Sequence, residues 1–135
     1  MSARPRAPVW IDTRVARVFH SEQLAEHGGA IGVRDAGLLE SALARTRHLL
    51  EYAESPPSHC RLAAAYAVGI LRNRPFVDGN KRTALVVALA FLDLNGIEFD
   101  APQEEVFLTV LDLAAGRLTE AAFAAWLERH TASAK

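Results

Sequence analysis

The sequence predicts an all-α protein, a compact bundle of about six helices. Three observations carry that expectation. Apolar residues recur at helical spacing between residues that start helices and residues that stop them. The single strand-like segment, Ile97-Glu-Phe99, is too short to found a sheet. The chain's 135 residues, 50% apolar and 23% charged, suit one compact domain and exclude a disordered chain.

Residues 1–8 carry two prolines, two arginines and no apolar period, so they read as a disordered lead-in to a single domain over residues 9–135. Asp12 is placed to cap a first helix with Val15, Val18 and Phe19 on its apolar face and Gly28-Gly29 as its stop. A loop through Ile31-Gly32-Val33 follows. Asp35 caps a second helix on which Leu38, Leu39, Ala42, Leu43, Leu49 and Leu50 recur, while Glu40, Arg45, Arg47 and His48 read as solvated surface. Tyr52 to Pro57 is a linker, and Ser58 caps a third helix through Leu62, Ala65, Tyr66, Gly69 and Ile70. This helix must end near Arg72-Asn73, because Pro75 disfavours helical geometry in the residue before it. Asn80 or Lys81 opens a fourth helix, almost wholly apolar from Ala84 to Leu92, which belongs in the middle of the bundle and ends at Asn95-Gly96. Asp100-Ala-Pro-Gln103 is a capping-box-like start to a fifth, with Glu104 and Glu105 in its first turn and Gly116 at its end. Thr119 caps the last helix, whose buried stripe is Phe123, Trp126 and Leu127.

Charge and apolar pattern exclude several function classes. Fifteen Lys and Arg against sixteen Asp and Glu leave a net charge of -1, which argues against a polybasic nucleic-acid binder. The apolar run Ala84–Leu92 falls far short of the ~20 residues that span a bilayer. The N-terminus lacks the apolar segment of a secretory signal, so a cytosolic chain is expected. Cys60 stands alone, which rules out an internal disulfide and a cysteine zinc site and leaves a small packing residue. His20, His27, His48, His59 and His130 read as surface or core-edge residues, and no His-Glu-x-x-His pattern occurs.

One stretch, Leu71-Arg-Asn-Arg-Pro-Phe-Val-Asp-Gly-Asn-Lys-Arg-Thr83, breaks this ordinary pattern. It predicts a helix, a tight loop and a second helix. Arg72, Arg74, Lys81 and Arg82 gather four cations, two of them in the first turn of a helix. A helix N-terminus already carries roughly +0.5 charge and unpaired N–H groups, so cations there cost stability unless an anion sits among them. Gly79 lets backbone N–H groups approach such an anion, and Asn80 can cap the helix and offer an amide donor. Asp78, the one carboxylate of the segment, is the natural anchor for Mg²⁺, which binds through one or two carboxylates and substrate phosphates. Pro75, Phe76 and Val77 pin the loop to the core. The plain alternative is an Asp-Gly-Asn turn followed by solvated Lys and Arg.

Arg74-Pro-Phe-Val-Asp-Gly-Asn-Lys-Arg82 resembles the core motif of the Fic/Doc family, His-x-Phe-x-Asp/Glu-Ala/Gly-Asn-Gly/Lys-Arg, in eight of nine positions, variable ones included. Glu26-His-Gly-Gly29, Asp35-Ala-Gly-Leu-Leu-Glu-Ser-Ala-Leu43, Thr83-Ala-Leu and Asn95-Gly96 extend the resemblance to the short death-on-curing (Doc) branch. The resemblance implies the Fic/Doc fold over residues 9–135, a helix-loop-helix active site, and transfer of a phosphoryl-containing group from ATP with Mg²⁺ to a protein hydroxyl. Lys81 stands where the Doc branch has Lys, which implies transfer of the γ-phosphate to a threonine of elongation factor Tu and arrest of translation. Gly79 follows the Fic pattern instead and keeps AMP transfer open. By position, Asp78 holds the metal and Gly79, Asn80, Lys81, Arg82 and Arg72 hold the nucleotide. The chain has no Ser/Thr-x-x-x-Glu-Gly/Asn inhibitory segment, so the restraint implied is a separate antitoxin whose helix fills a groove. By the same analogy, the loop from Gly28 to Arg34 offers a backbone edge to a target segment.

At one position the chain departs from the family. Arg74 occupies the place of the catalytic base His, and a guanidinium, with pKa above ~12, cannot take the hydroxyl proton. An inactive or crippled transferase is therefore expected. The otherwise intact motif favours a change introduced so that a host survives making a toxin over natural erosion. A nucleotide-binding pseudoenzyme is the second reading, and a nucleic-acid binder using the Arg72–Arg82 cluster is the third, disfavoured by the net charge.

Overall fold

The computed structural model describes residues 7–133 and contains six helices and two short strands. The expected lead-in falls largely outside the described residues; Ala7 and Pro8 have no helical or strand geometry. The helices are α1 (Thr13–His27), α2 (Ala36–Tyr52), α3 (His59–Asn73), α4 (Asn80–Leu94), α5 (Gln103–Ala114) and α6 (Glu120–Arg129). Four expected caps are in place: Asp12 accepts from Val15 N–H, Asp35 from Leu38, Ser58 from Arg61 and Thr119 from Ala122. The fifth is not. Pro102 precedes α5 without a side-chain cap, and the N–H of Asp100 donates to the carbonyl of His130 at 2.9 Å.

That displacement has a cause. Strand β1 (Ile97–Phe99) pairs antiparallel with β2 (Thr131–Ser133), with Glu98 opposite Ala132, and Asp100 extends the ladder. The two-stranded ribbon follows α6 back to the end of α4, a long-range pairing that no local pattern announces.

The most deeply buried helix is α3, with ten of its 15 residues out of solvent, and it packs against α2, α4, α5 and α6. The expectation placed α4 there. It is well covered, with no exposed residue from Thr83 to Leu92, but it lies between α3, α1, α5 and β1. Small side chains put α3 at the centre: Ala63, Ala64, Ala65 and Ala67 let neighbouring helices approach its backbone. Gly69 marks the closest approach, since a Cβ there would lie 2.7 Å from the carbonyl oxygen of Ala42.

On α1 the buried residues are Ala16 and His20, whereas Val18 is exposed, so the expected apolar face is rotated. Tyr66 anchors the entry to α1: its hydroxyl accepts from Ile11 N–H at 2.9 Å and donates to Ile11 O at 3.3 Å. Burial pushes the Tyr66 phenol above its ordinary value. Asn95 clamps the same segment, exchanging two hydrogen bonds with Val9. On α2, Arg45 is not free surface, because its guanidinium forks onto the Glu120 carboxylate and reaches Ala65 O. Arg47 lies over the Trp10 ring at 5.4 Å. Cys60 is buried, as expected.

Two predictions follow from these contacts. Gly69→Ala should lower unfolding stability by about 1–3 kcal/mol through overpacking, although Ala is intrinsically the better helix former by about 1 kcal/mol; urea denaturation measures the sign. Glu105 accepts from Trp126 Nε1–H at 2.8 Å and lies 3.2 Å from His130 Nε2, and the Trp126 bond first, then the His130 charge, holds its carboxyl below the usual range. A lowered folded-state pKa gives stability that is complete above the ordinary carboxylate range and lost as the pH falls through the folded-state value. Glu105→Gln should therefore flatten the acid limb of a melting-temperature profile, and an unchanged limb would count against this coupling.

Candidate active site

Helix α3 ends on Arg74, whose backbone turns left-handed at φ 48°, the one positive φ on a non-glycine among the described residues. Pro75 prevents continuation. The last carbonyls of the helix are satisfied from another element: Arg34 donates from Nε to Arg74 O at 2.8 Å and from Nη2 to Asn73 O at 2.7 Å. Around it, Val33 bridges Phe76, Arg34 and Asp35 N–H groups converge on Pro75 O, and Val77 N–H donates to Gly32 O. This edge of the 28–34 loop, expected to meet a target segment, is thus already paired with the motif loop.

Phe76 is the buried pin of that loop. The His20 ring lies parallel to it, with centroids 3.9 Å apart, and His20 Nε2–H donates to the Asp78 carbonyl at 2.8 Å. Asn80 brackets the same residue from the other side, its Oδ1 accepting from Phe76 N–H and its Nδ2 donating to Phe76 O. Asn80 therefore does not cap α4. The N-cap is Gly79, at φ 78° and without a side-chain cap, so the first-turn N–H groups of α4 remain for water or a ligand. Val77, expected to pin the loop, is 52% exposed.

Asp78 is exposed and its carboxylate is aimed by backbone: Oδ1 accepts from Gly79 N–H at 2.9 Å and Oδ2 from Ala30 N–H at 3.3 Å. Gly29 permits this approach, because a Cβ there would come within 2.9 Å of Asp78 Oδ2. Each oxygen retains lone-pair capacity for a further partner, so the carboxylate suits a hard cation.

A cavity of about 470 Å³ opens beside this loop, within the size range of small-molecule sites. Arg74, Asp78, Gly79, Asn80, Lys81 and Arg82 line one side, and Leu71, Leu85, Phe107, Val110, Leu111 and Ala114 supply an apolar wall from α3, α4 and α5. Six of the seven expected site residues therefore share one space. Arg72 does not line it; that side chain is exposed elsewhere on α3. Among the described residues, no carboxylate forms an ion pair with Arg74, Lys81 or Arg82. Three cations face one carboxylate at an uncapped helix start, which is a site shaped for a multiply charged anion.

Residues 10–92 match the Fic/DOC family profile. The chain belongs to the Fic/DOC family. Two relatives extend the comparison. The protein named Toxin Doc from Mycolicibacterium smegmatis is 42% identical over 74 residues, 55% of this chain and 57% of that protein. The protein named Protein kinase doc from Escherichia phage P1 is 36% identical over 118 residues, covering 87% of this chain and 91% of that protein. The six-helix architecture is the Fic/DOC fold expected from the motif.

His20 and Arg34 support this Fic/DOC site and were missed by spacing arguments, while Gly29, expected as a helix stop, also makes room for the Asp78 carboxylate. The available signal was weak: His20 lies four residues from Ala16 on one helix side, but a small and a polar residue make no apolar stripe. His20→Ala should cost about 1–3 kcal/mol by urea denaturation, through the lost ring stack and the lost donor to Asp78. His20→Gln, which restores a donor without the ring, should fall between the two, and equal stability of all three would refute the pinning role.

Proposed function

We propose that this chain has the framework of a Doc-type toxin transferase, built to use ATP and Mg²⁺ to phosphorylate a protein hydroxyl, and that Arg74 suppresses its chemistry. The observation that carries the reading is the pair Lys81 and Arg82, unpaired in the first turn of uncapped α4 beside the single carboxylate Asp78. Such a site binds phosphates and would hold developing charge in the transition state. Asp78 would hold Mg²⁺, which when bound neutralises phosphate charge. Asn80 fixes the loop, Lys81 and Arg82 bind the phosphates, and the apolar wall excludes water from a bound nucleotide.

The acceptor is a hydroxyl of a protein, proposed as a threonine of elongation factor Tu, so that modification would arrest translation in the cytosol. Its proton needs a base. Arg74 stays protonated, and His20 does not substitute, being 4% exposed and absent from the lining of the cavity. The loss of a general base costs about 10²–10⁴ in rate. A separate antitoxin chain, docking as a helix, is the proposed partner. No described helix is long and apolar enough to cross a membrane. Gly79 favours a second reading, AMP transfer, because the position follows the Fic rather than the Doc pattern.

Intact-mass spectrometry of elongation factor Tu, incubated with ATP, Mg²⁺ and either the parent chain or Arg74→His, tests this. One added phosphate with the His variant, at a rate at least about 10²-fold above the parent, is expected. Addition of AMP would replace kinase chemistry with nucleotidyl transfer, and no modification by either chain would remove the proposed target.

A further inference from the structure

We propose that Arg74 is itself a phosphate-binding residue, which makes this site a holder of nucleoside triphosphates that depends less on Mg²⁺ than a site with His at that position. The inference rests on the nucleotide reading above and goes further, by assigning a binding role to the residue that blocks catalysis.

The argument starts with what Arg74 does not do. A cation at the end of a helix can turn back to bond the last carbonyls. At the end of α3 those acceptors, Asn73 O and Arg74 O, are taken by Arg34. The nearest carboxylate in the loop, Asp78, accepts from the backbone N–H groups of Gly79 and Ala30 and from no arginine. The Arg74 side chain makes no hydrogen bond or ion pair within the described residues, and it lines the cavity together with Lys81 and Arg82. It does so from a left-handed backbone position, φ 48°, which a residue with a Cβ seldom adopts.

The complement of three unpaired cations, one carboxylate and an uncapped helix start is a ligand with several negative charges. A triphosphate is such a ligand, and a guanidinium is the side chain best shaped to bind it, with a planar fork that matches two phosphate oxygens and a charge that never titrates. Mg²⁺ normally offsets part of the phosphate charge. Arg74 offsets part of it permanently, so triphosphate binding persists when the metal is removed. The same cation occupies the place from which a proton would be taken, so the bound nucleotide is kept rather than spent.

Calorimetric titration with ATP, inorganic triphosphate and adenosine, each in Mg²⁺ and in EDTA, tests the assignment on the parent chain, Arg74→His, Arg74→Ala and Lys81→Ala. In EDTA, both Arg74 variants should bind ATP and triphosphate at least about tenfold more weakly than the parent, with adenosine affinity unchanged. Mg²⁺ should recover most of the loss in Arg74→His and little be gained by the parent. If the Arg74 variants bind metal-free ATP as tightly as the parent while Lys81→Ala weakens, the Arg74 assignment is overturned and the nucleotide site stands. If no chain binds ATP or triphosphate, although all unfold at the parent's temperature, both readings fall. Equal losses for adenosine and ATP would also overturn it, since they would place Arg74 against the nucleoside.

Discussion

The hydrogen bond from His20 to the Asp78 carbonyl, closed by the stack of its ring on Phe76, connects the framework to the candidate site. A loop of six residues between two helices has ample freedom to turn its peptide groups. Here the carbonyl before Gly79 is held from below by α1, and the backbone of Phe76 is held from above by Asn80. With both fixed, Asp78 has one direction for its carboxylate, and α4 begins with a left-handed glycine in place of a capping side chain. A site preorganised in this way loses little conformational freedom when a charged ligand arrives.

The electrostatic arrangement shows what local stability was given up. Arg45 and Glu120 satisfy each other where α2 meets α6, and Arg117 meets Asp112 at the end of α5. Beside the cavity Arg74, Lys81 and Arg82 have no ion-pair partner among the described residues, and two of them lie against the positive end of a helix. What sets these three apart from other unpaired cations is that they line one cavity beside a carboxylate and an uncapped helix start.

Much of this was readable from the sequence because it is locally encoded. Asp12, Asp35, Ser58 and Thr119 each cap with a side chain three residues from its donor, so the helix starts follow from neighbours. The motif Arg74 to Arg82 is contiguous, and six of its expected residues line one cavity for the same reason. What stayed hidden involves distant partners. The β1–β2 ribbon, the role of Arg34 at the end of α3 and the burial of His20 each depend on a residue more than 30 positions away. Arg72 shows the converse error: charge proximity along the chain suggested a shared site, but its direction around α3 takes it out of the cavity. The centrality of α3 was obscured because alanine scores as a weak hydrophobe, although its size is what allows close helix packing.

The dependence on distant partners sets an order of events in folding. Helices α2 and α3 lie next to each other in sequence and in space, so their pairing closes a short loop and can form early. Docking of α1 joins His20 to Asp78 across 58 positions, whereas Arg34, beside the cap of α2, joins Arg74 across 40 from the α2–α3 side. The Asp78 end of the cavity thus depends on a contact that α1 supplies. Local opening of α1 would release the Asp78 carbonyl while leaving the cavity walls of α3, α4 and α5 in place. Any anion that fills the cavity draws that population back, and the occupied chain becomes more resistant to opening at its N-terminal end.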